Sequence, residues 1–307
     1  MAHVPEKPSA SAPTILVVTS QVVRGGISGR GLLFALERLG HNVWFVPTIL
    51  LPWHPGHGKA TRIVPPVSDF AALIDDLAGS EKLGEIRGVI TGYLGGPEQA
   101  AAIAKLVKAV KTASPEALYL CDPVMGDHFS EDHGGLYIPE PTAEAVRDEL
   151  VPLADIVTPN RFELGWLTDQ QVETETQALN AARQLGSDRV LVTSSPAMRR
   201  NSISNLLVTQ KAALAAEHQS MPKPPNGTGD LISGLLLSNI LAGRSDEDAL
   251  MRSAASTFEV VARSVKQGAD ELLLPQEQDS IAQPMAMVST RRVMEARRRV
   301  SPSPVGL

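Results

Sequence analysis

Cysteine occurs once in this chain, at Cys121, so no internal disulfide can form and no multi-cysteine metal site exists. That residue lies in an apolar, strand-like run and reads as a small buried side chain. A surplus of positive charge is also missing. The formal net charge of -6 argues against a general nucleic-acid binder, which carries a basic face. No apolar run is long enough to span a bilayer, and the opening MAHVPEKPSASAP lacks the continuous apolar core of a secretion signal, so the cytoplasm is the expected location, with no membrane and no nucleic-acid partner. The common nucleotide fingerprints are absent too. Gly25, Gly26, Gly29 and Gly31 do not fall in G-x-G-x-x-G order, and Gly58-Lys59 is followed by Ala60, with Trp53 where a phosphate loop needs its first glycine. No Ser-His-Asp order or G-x-S-x-G elbow supports a hydrolase.

What is present fits one α/β domain. With 307 residues, 43% hydrophobic and 20% charged, and with no repeat or interior linker, a single folded unit over 14–270 is the economical reading. Residues 1–13 read as a loose Pro/Ser/Ala arm, and 271–307 as a solvated tail, basic at Arg291, Arg292, Arg297, Arg298 and Arg299. Thr14 to Thr19 has apolar residues on both faces, the mark of a strand covered on both sides. A loop, a helix over 31–39 stopping at Gly40, and a strand over 43–46 follow. This order implies a parallel pair with a right-handed crossover.

Further strands are expected at 88–91, 117–121, 154–157, 189–193 and 205–208, with helices at 70–77, 97–110, 141–150, 177–185 and 246–265. In an open parallel sheet the ligand crevice lies at the carboxyl ends of strands, where Ser20, Tyr93 and Asp122 stand. Asn160 and Glu163 have capping-box spacing, and the same oxygens suit an ordered water or a magnesium ion. His54 and His57 lie in a Pro/Gly loop with no third metal ligand nearby, which favours a ligand-facing loop over zinc. The polar stretch 127–135 reads as a flap over the site.

The chemistry concentrates at Gly227-Thr228-Gly229-Asp230, just before an apolar helix-like run. A Pro/Gly segment opening into a helix presents unpaired N–H groups and the positive end of the helix dipole, which suits an anion. Asp230 beside that cradle is what phosphoryl transfer to an alcohol requires. The motif alone reads equally as a helix cap and a turn.

Together, Thr19-Ser20-Gln21-Val22-Val23, Thr91-Gly92-Tyr93-Leu94-Gly95, Cys121-Asp122-Pro123-Val124-Met125-Gly126, Thr158-Pro159-Asn160-Arg161-Phe162-Glu163-Leu164 and Asn226-Gly227-Thr228-Gly229-Asp230 resemble the pyridoxal kinases of the ribokinase-like superfamily, over roughly residues 14–270. The resemblance implies an α/β three-layer sandwich with a central, mostly parallel sheet, commonly as a homodimer. It also implies ATP-dependent phosphorylation of the 5′-hydroxyl of pyridoxal, with Mg²⁺ as cofactor and K⁺ as a further candidate. Asp230 would be the base, ionised at neutral pH and weak, and Gly227, Thr228 and Gly229 the anion hole. Asp122 and Glu163 would attend the phosphates and Mg²⁺; Thr158, Thr193, Pro225 and Asn226 would form the nucleotide side. Ser20 would bond the pyridine ring, walled by Val23, Tyr93 and His54. Gln21 and His54-Pro55 depart from the residues usual in that family and touch the ring pocket, not the phosphate machinery. The rival readings are a hydroxymethylpyrimidine kinase and a non-catalytic vitamer-binding regulator on the same scaffold.

Overall fold

The computed structural model describes residues 12–128 and 135–293. Nine strands form one sheet in the order β2-β1-β3-β4-β5-β6-β7-β8-β9. β1 (Ala12–Val22) is flanked by β2 (His41–Leu51) and β3 (Ile86–Thr91). β4 (Leu118–Cys121), β5 (Ile156–Val157) and β6 (Arg189–Ser195) continue the parallel part. β7 (Ser202–Thr209), β8 (Ala213–Gln219) and β9 (Ser289–Arg292) close it antiparallel.

The alternation in β1 decides the layers. Leu16 and Val18 enter one core with Phe70, Ile103 and Val107, while Ile15 and Val17 enter another with Leu32, Leu236 and Ala254. The first face is covered by α2 (Val67–Ala78), α3 (Glu98–Ala113) and α4 (Glu140–Ala145), and farther along by α5 (Arg161–Thr168) and α6 (Glu175–Gln184). The second is covered by α1 (Ser28–Arg38), α7 (Thr228–Leu241) and α8 (Asp246–Lys266). This is the expected three-layer α/β sandwich with a central, mostly parallel sheet.

Two expectations need correction. The sheet gains β8, whose alanine-rich sequence has little strand propensity; pairing with β7 and β9 overrides that preference. The segment read as a solvated tail is packed as far as it is described. Leu272, Leu274 and Ile281 are buried, α9 (Gln278–Ala282) lies against α8, and Arg291 on β9 is gripped by Glu175 and Glu217. At the other end β1 starts at Ala12, two residues earlier than expected. The rest of the N-terminal arm, and 129–134 of the polar stretch read as a flap, lie outside the described residues.

Candidate active site

Strand ends and one helix start build the site. Gly227 sits at φ 95°, and a Cβ there would come within 3.2 Å of the Gly26 carbonyl oxygen and the Ile27 Cα, so glycine is required for conformation and for space. Gly229 faces open space, since a Cβ there would meet no heavy atom within 4 Å. The first-turn N–H groups of α7, from Thr228 onward, have no acceptor earlier in the helix, and Asp230 stands one residue beyond Gly229.

Asp230 is 9% exposed, and its Oδ2 accepts a hydrogen bond of 3.0 Å from the backbone N–H of Ser28. Burial pushes its carboxyl up to about 6, against the pull of that bond. The expectation of an ordinary ionised carboxylate is thus corrected: most of it is still ionised at pH 7, but it is a stronger base than a solvated aspartate.

Asp122 leaves the end of β4 and is buried. Burial, then the charges of Glu163 and Asp230, push its carboxyl well above the ordinary range, opposed by a hydrogen bond of 3.0 Å from Ser233 Oγ. Ser233 also lies 2.8 Å from Thr158 Oγ1 and so joins two of the expected site residues. Sequence reasoning passed over Ser233, although it stands three residues after Asp230 on the same helix face.

For Asn160 and Glu163 the capping box is realised: Asn160 Oδ1 accepts from Glu163 N at 3.0 Å, and Glu163 Oε2 accepts from Asn160 N at 2.8 Å. Glu163 Oε1 accepts from Met125 N at 2.7 Å. With both oxygens holding backbone and only 2% exposure, Glu163 braces the Asp122 loop rather than offering a free metal ligand. Its carboxyl is raised to about 7, by burial above all. Among the described residues no group of three metal-ligating side chains occurs. Burial raises the carboxyls of Asp122, Glu163 and Asp230 alike, and a cation beside them would favour their ionised forms; Asp122 is the one that could hold it.

The remaining expected residues distribute as follows. Thr193 is buried on β6, its N–H bonded to the Pro159 carbonyl, so it stands beside Asn160. Pro225 is buried and Asn226 exposed; Asn226 Nδ2 lies 3.2 Å from His54 Nδ1. The expected nucleotide and ring sides therefore touch across a narrow cleft of about 10 Å³, whose rim is tied by Arg24 to Asp270 and Glu271. Ser20 is buried at the end of β1. Tyr93 packs on Val22, Ile27, Ile49 and Leu51, while its hydroxyl accepts from Arg62 at 2.8 Å. Val23, expected in that wall, is 71% exposed, next to the buried Val22 against which Tyr93 packs.

Two further residues escaped the sequence. Ser28, with φ 51°, supplies the N–H that fixes Asp230, and the glycines at 26, 29 and 31 are the trace it left. A Cβ on Gly29 would come within 2.4 Å of Phe45 and 2.8 Å of the Ser20 carbonyl, so that loop must pack tightly. Tyr137 is 43% exposed, yet its hydroxyl is pushed well above its ordinary range by burial and then by Glu163, Asp122 and Asp230. It stays protonated, in the field of four acids once Asp127 is included.

Comparison with known proteins bears on this arrangement. The chain matches the phosphomethylpyrimidine kinase family over residues 82–274. Over nearly its whole length it is 34% identical to the pyridoxal kinase PdxY of Rubrobacter xylanophilus, covering 91% of this chain and 97% of that one. The PdxY of Corynebacterium diphtheriae is 31% identical over 284 residues, covering 91% and 99%. The chain belongs to the pyridoxal kinase family. It is therefore a kinase. The pyridoxal kinase of Entamoeba histolytica has the same fold, with a TM-score of 0.83 at 24% identity over 92% of this chain and all of that one. That of Leishmania donovani, in complex with ADP and pyridoxamine, gives 0.84 at 22% identity over 92% and 99%.

Proposed function

We propose that this enzyme transfers the γ-phosphoryl group of ATP to the 5′-hydroxyl of pyridoxal, and to pyridoxine and pyridoxamine, giving the 5′-phosphates of vitamin B6 salvage. The observation that carries the reading is Asp230: buried, raised to about 6, fixed by Ser28 N–H, and one residue from the open space at Gly229. The alcohol oxygen attacks the γ-phosphorus as the bond to the β-bridging oxygen breaks and ADP leaves. Asp230 orients the hydroxyl and takes its proton as that bond forms. The amides of Gly227, Thr228 and Gly229 hold the charge spreading over the phosphoryl oxygens. Mg²⁺, held through Asp122, would neutralise phosphate charge. Thr158, Thr193, Pro225 and Asn226 take the nucleotide side, while Ser20, His54 and Tyr93 take the ring. We further propose a cytoplasmic homodimer, with K⁺ as a candidate second cation.

A second reading has one observation in its favour, because the family matched over 82–274 is named for phosphomethylpyrimidine. That span omits Ser20, Gln21 and His54, the residues that would tell one flat ring from another. ADP release measured with pyridoxal, pyridoxine, pyridoxamine and hydroxymethylpyrimidine tests both. Fastest turnover on a B6 vitamer is expected. Preference for hydroxymethylpyrimidine, or tight pyridoxal binding without turnover, overturns the proposal.

A further inference from the structure

At the opposite pole from Asp230 lies a cavity of about 330 Å³, large enough for a small organic ligand. It sits where β1 and β2 begin and α7 ends, between Pro13, His41, Ser238 and Asn239, and is closed by Arg244, by Arg252 and Ser256 of α8, and by α9. Leu39, Leu235 and Ile281 give it an apolar floor. None of the proposed catalytic, nucleotide or ring residues lines it.

The charge of the wall selects the ligand. His41 adds none: its Nδ1 lies 2.8 Å from the Pro13 carbonyl and must donate, so Nε2 accepts from Ser238 Oγ at 2.7 Å, and burial holds the ring neutral. Three of the last four carbonyls of α7, which would repel an anion, accept capping hydrogen bonds: Ser238 O from Ala242 N, Asn239 O from Arg244 N and Ile240 O from Gly243 N. Arg244 and Arg252 share one partner, Asp248, through Nη1 at 3.0 Å and Nε at 3.1 Å. Asp248 thus steadies both guanidinium groups, leaves other N–H donors on each, and cancels only one of the two charges.

We propose that this cavity is a second small-molecule site, for a compact organic carboxylate whose apolar body rests on Leu39, Leu235 and Ile281 while its charge meets Arg244 and Arg252. The site is independent of the kinase centre, so an occupant does not compete with either substrate.

Ligand-observed fluorine NMR with 4-fluorobenzoate on the full chain, with ADP and Mg²⁺ saturating, tests it. Saturable binding at one site is expected, with the cationic isostere 4-fluorobenzamidine at least ~10-fold weaker because a charge-assisted contact becomes a repulsion. Arg252→Met should weaken 4-fluorobenzoate by about the same factor with turnover unchanged. Ala282→Phe, which fills the cavity without touching charge, should abolish it, and covers the case in which Arg252→Met fails to fold. Absence of saturable binding, displacement by ADP with pyridoxal, equal binding of the amidine, or indifference to both substitutions would overturn the proposal.

Discussion

Replacing Asp230 by asparagine should make the protein inactive and more stable at once. In the fold the carboxyl titrates at about 6 instead of its ordinary 3.8. At 1.36 kcal/mol per pH unit, its ionisation costs the folded state about 3 kcal/mol at neutral pH. The sign follows from the direction of the shift: native stability owed to this group is full below pH 4, falls as pH rises from about 4 to 6, and stays lost above. Asparagine keeps an oxygen to accept the Ser28 N–H, carries no charge, and also relieves Asp122, whose carboxyl is raised partly by Asp230. Thermal unfolding of wild type and Asp230→Asn should coincide near pH 4 and separate by roughly 5 °C at pH 7.5 in favour of the variant. ADP release at pH 7.5 should fall by at least ~100-fold with little change in ATP affinity, and wild-type kcat should decline below about pH 6. A stability gap that is absent, reversed or independent of pH would refute the burial argument. Near-normal turnover would refute the role of base.

Three other substitutions probe the supports of the site. Ser233→Ala removes a buried hydroxyl shared by Asp122 and Thr158; it should cost ~1–3 kcal/mol in urea unfolding and raise the KM for ATP more than it lowers kcat. Glu163→Gln should cost ~1–3 kcal/mol in the same unfolding assay even at pH 6, because its NH2 replaces one of two oxygens that both accept from backbone N–H groups, and Glu163→Ala, which takes the acceptor from Met125 and Asn160 alike, should cost more. Gly29→Ala drives a methyl into Phe45 and the Ser20 carbonyl; a loss of ~1–3 kcal/mol is expected together with a fall in kcat, since Ser28 moves off Asp230.

Local patterning carried much of this far. The alternation of Ile15, Leu16, Val17 and Val18 announced a strand covered on both faces, and the glycines before Asp230 announced the start of α7. Contacts between residues distant in the chain left no such mark. Ser28 meets Asp230 across 202 positions, and no period in either segment points to the other. Arg291 read as one cation in a basic tail because its acids, Glu175 and Glu217, lie in separate elements. Glu163 illustrates a third limit: spacing identified the capping box, but only burial on every side shows that its carboxylate is committed to backbone.

The placement of β1 has a consequence for synthesis of the chain. Its Ile15 and Val17 are covered by Leu236 of α7 and Ala254 of α8, more than two hundred residues later. While the ribosome is still making the middle of the protein, α1 is the one helix available to that face, and the part that α7 and α8 later cover stays adhesive. Completion of the fold must wait for the last third of translation, which makes truncated nascent chains, more than finished ones, the natural clients of chaperones.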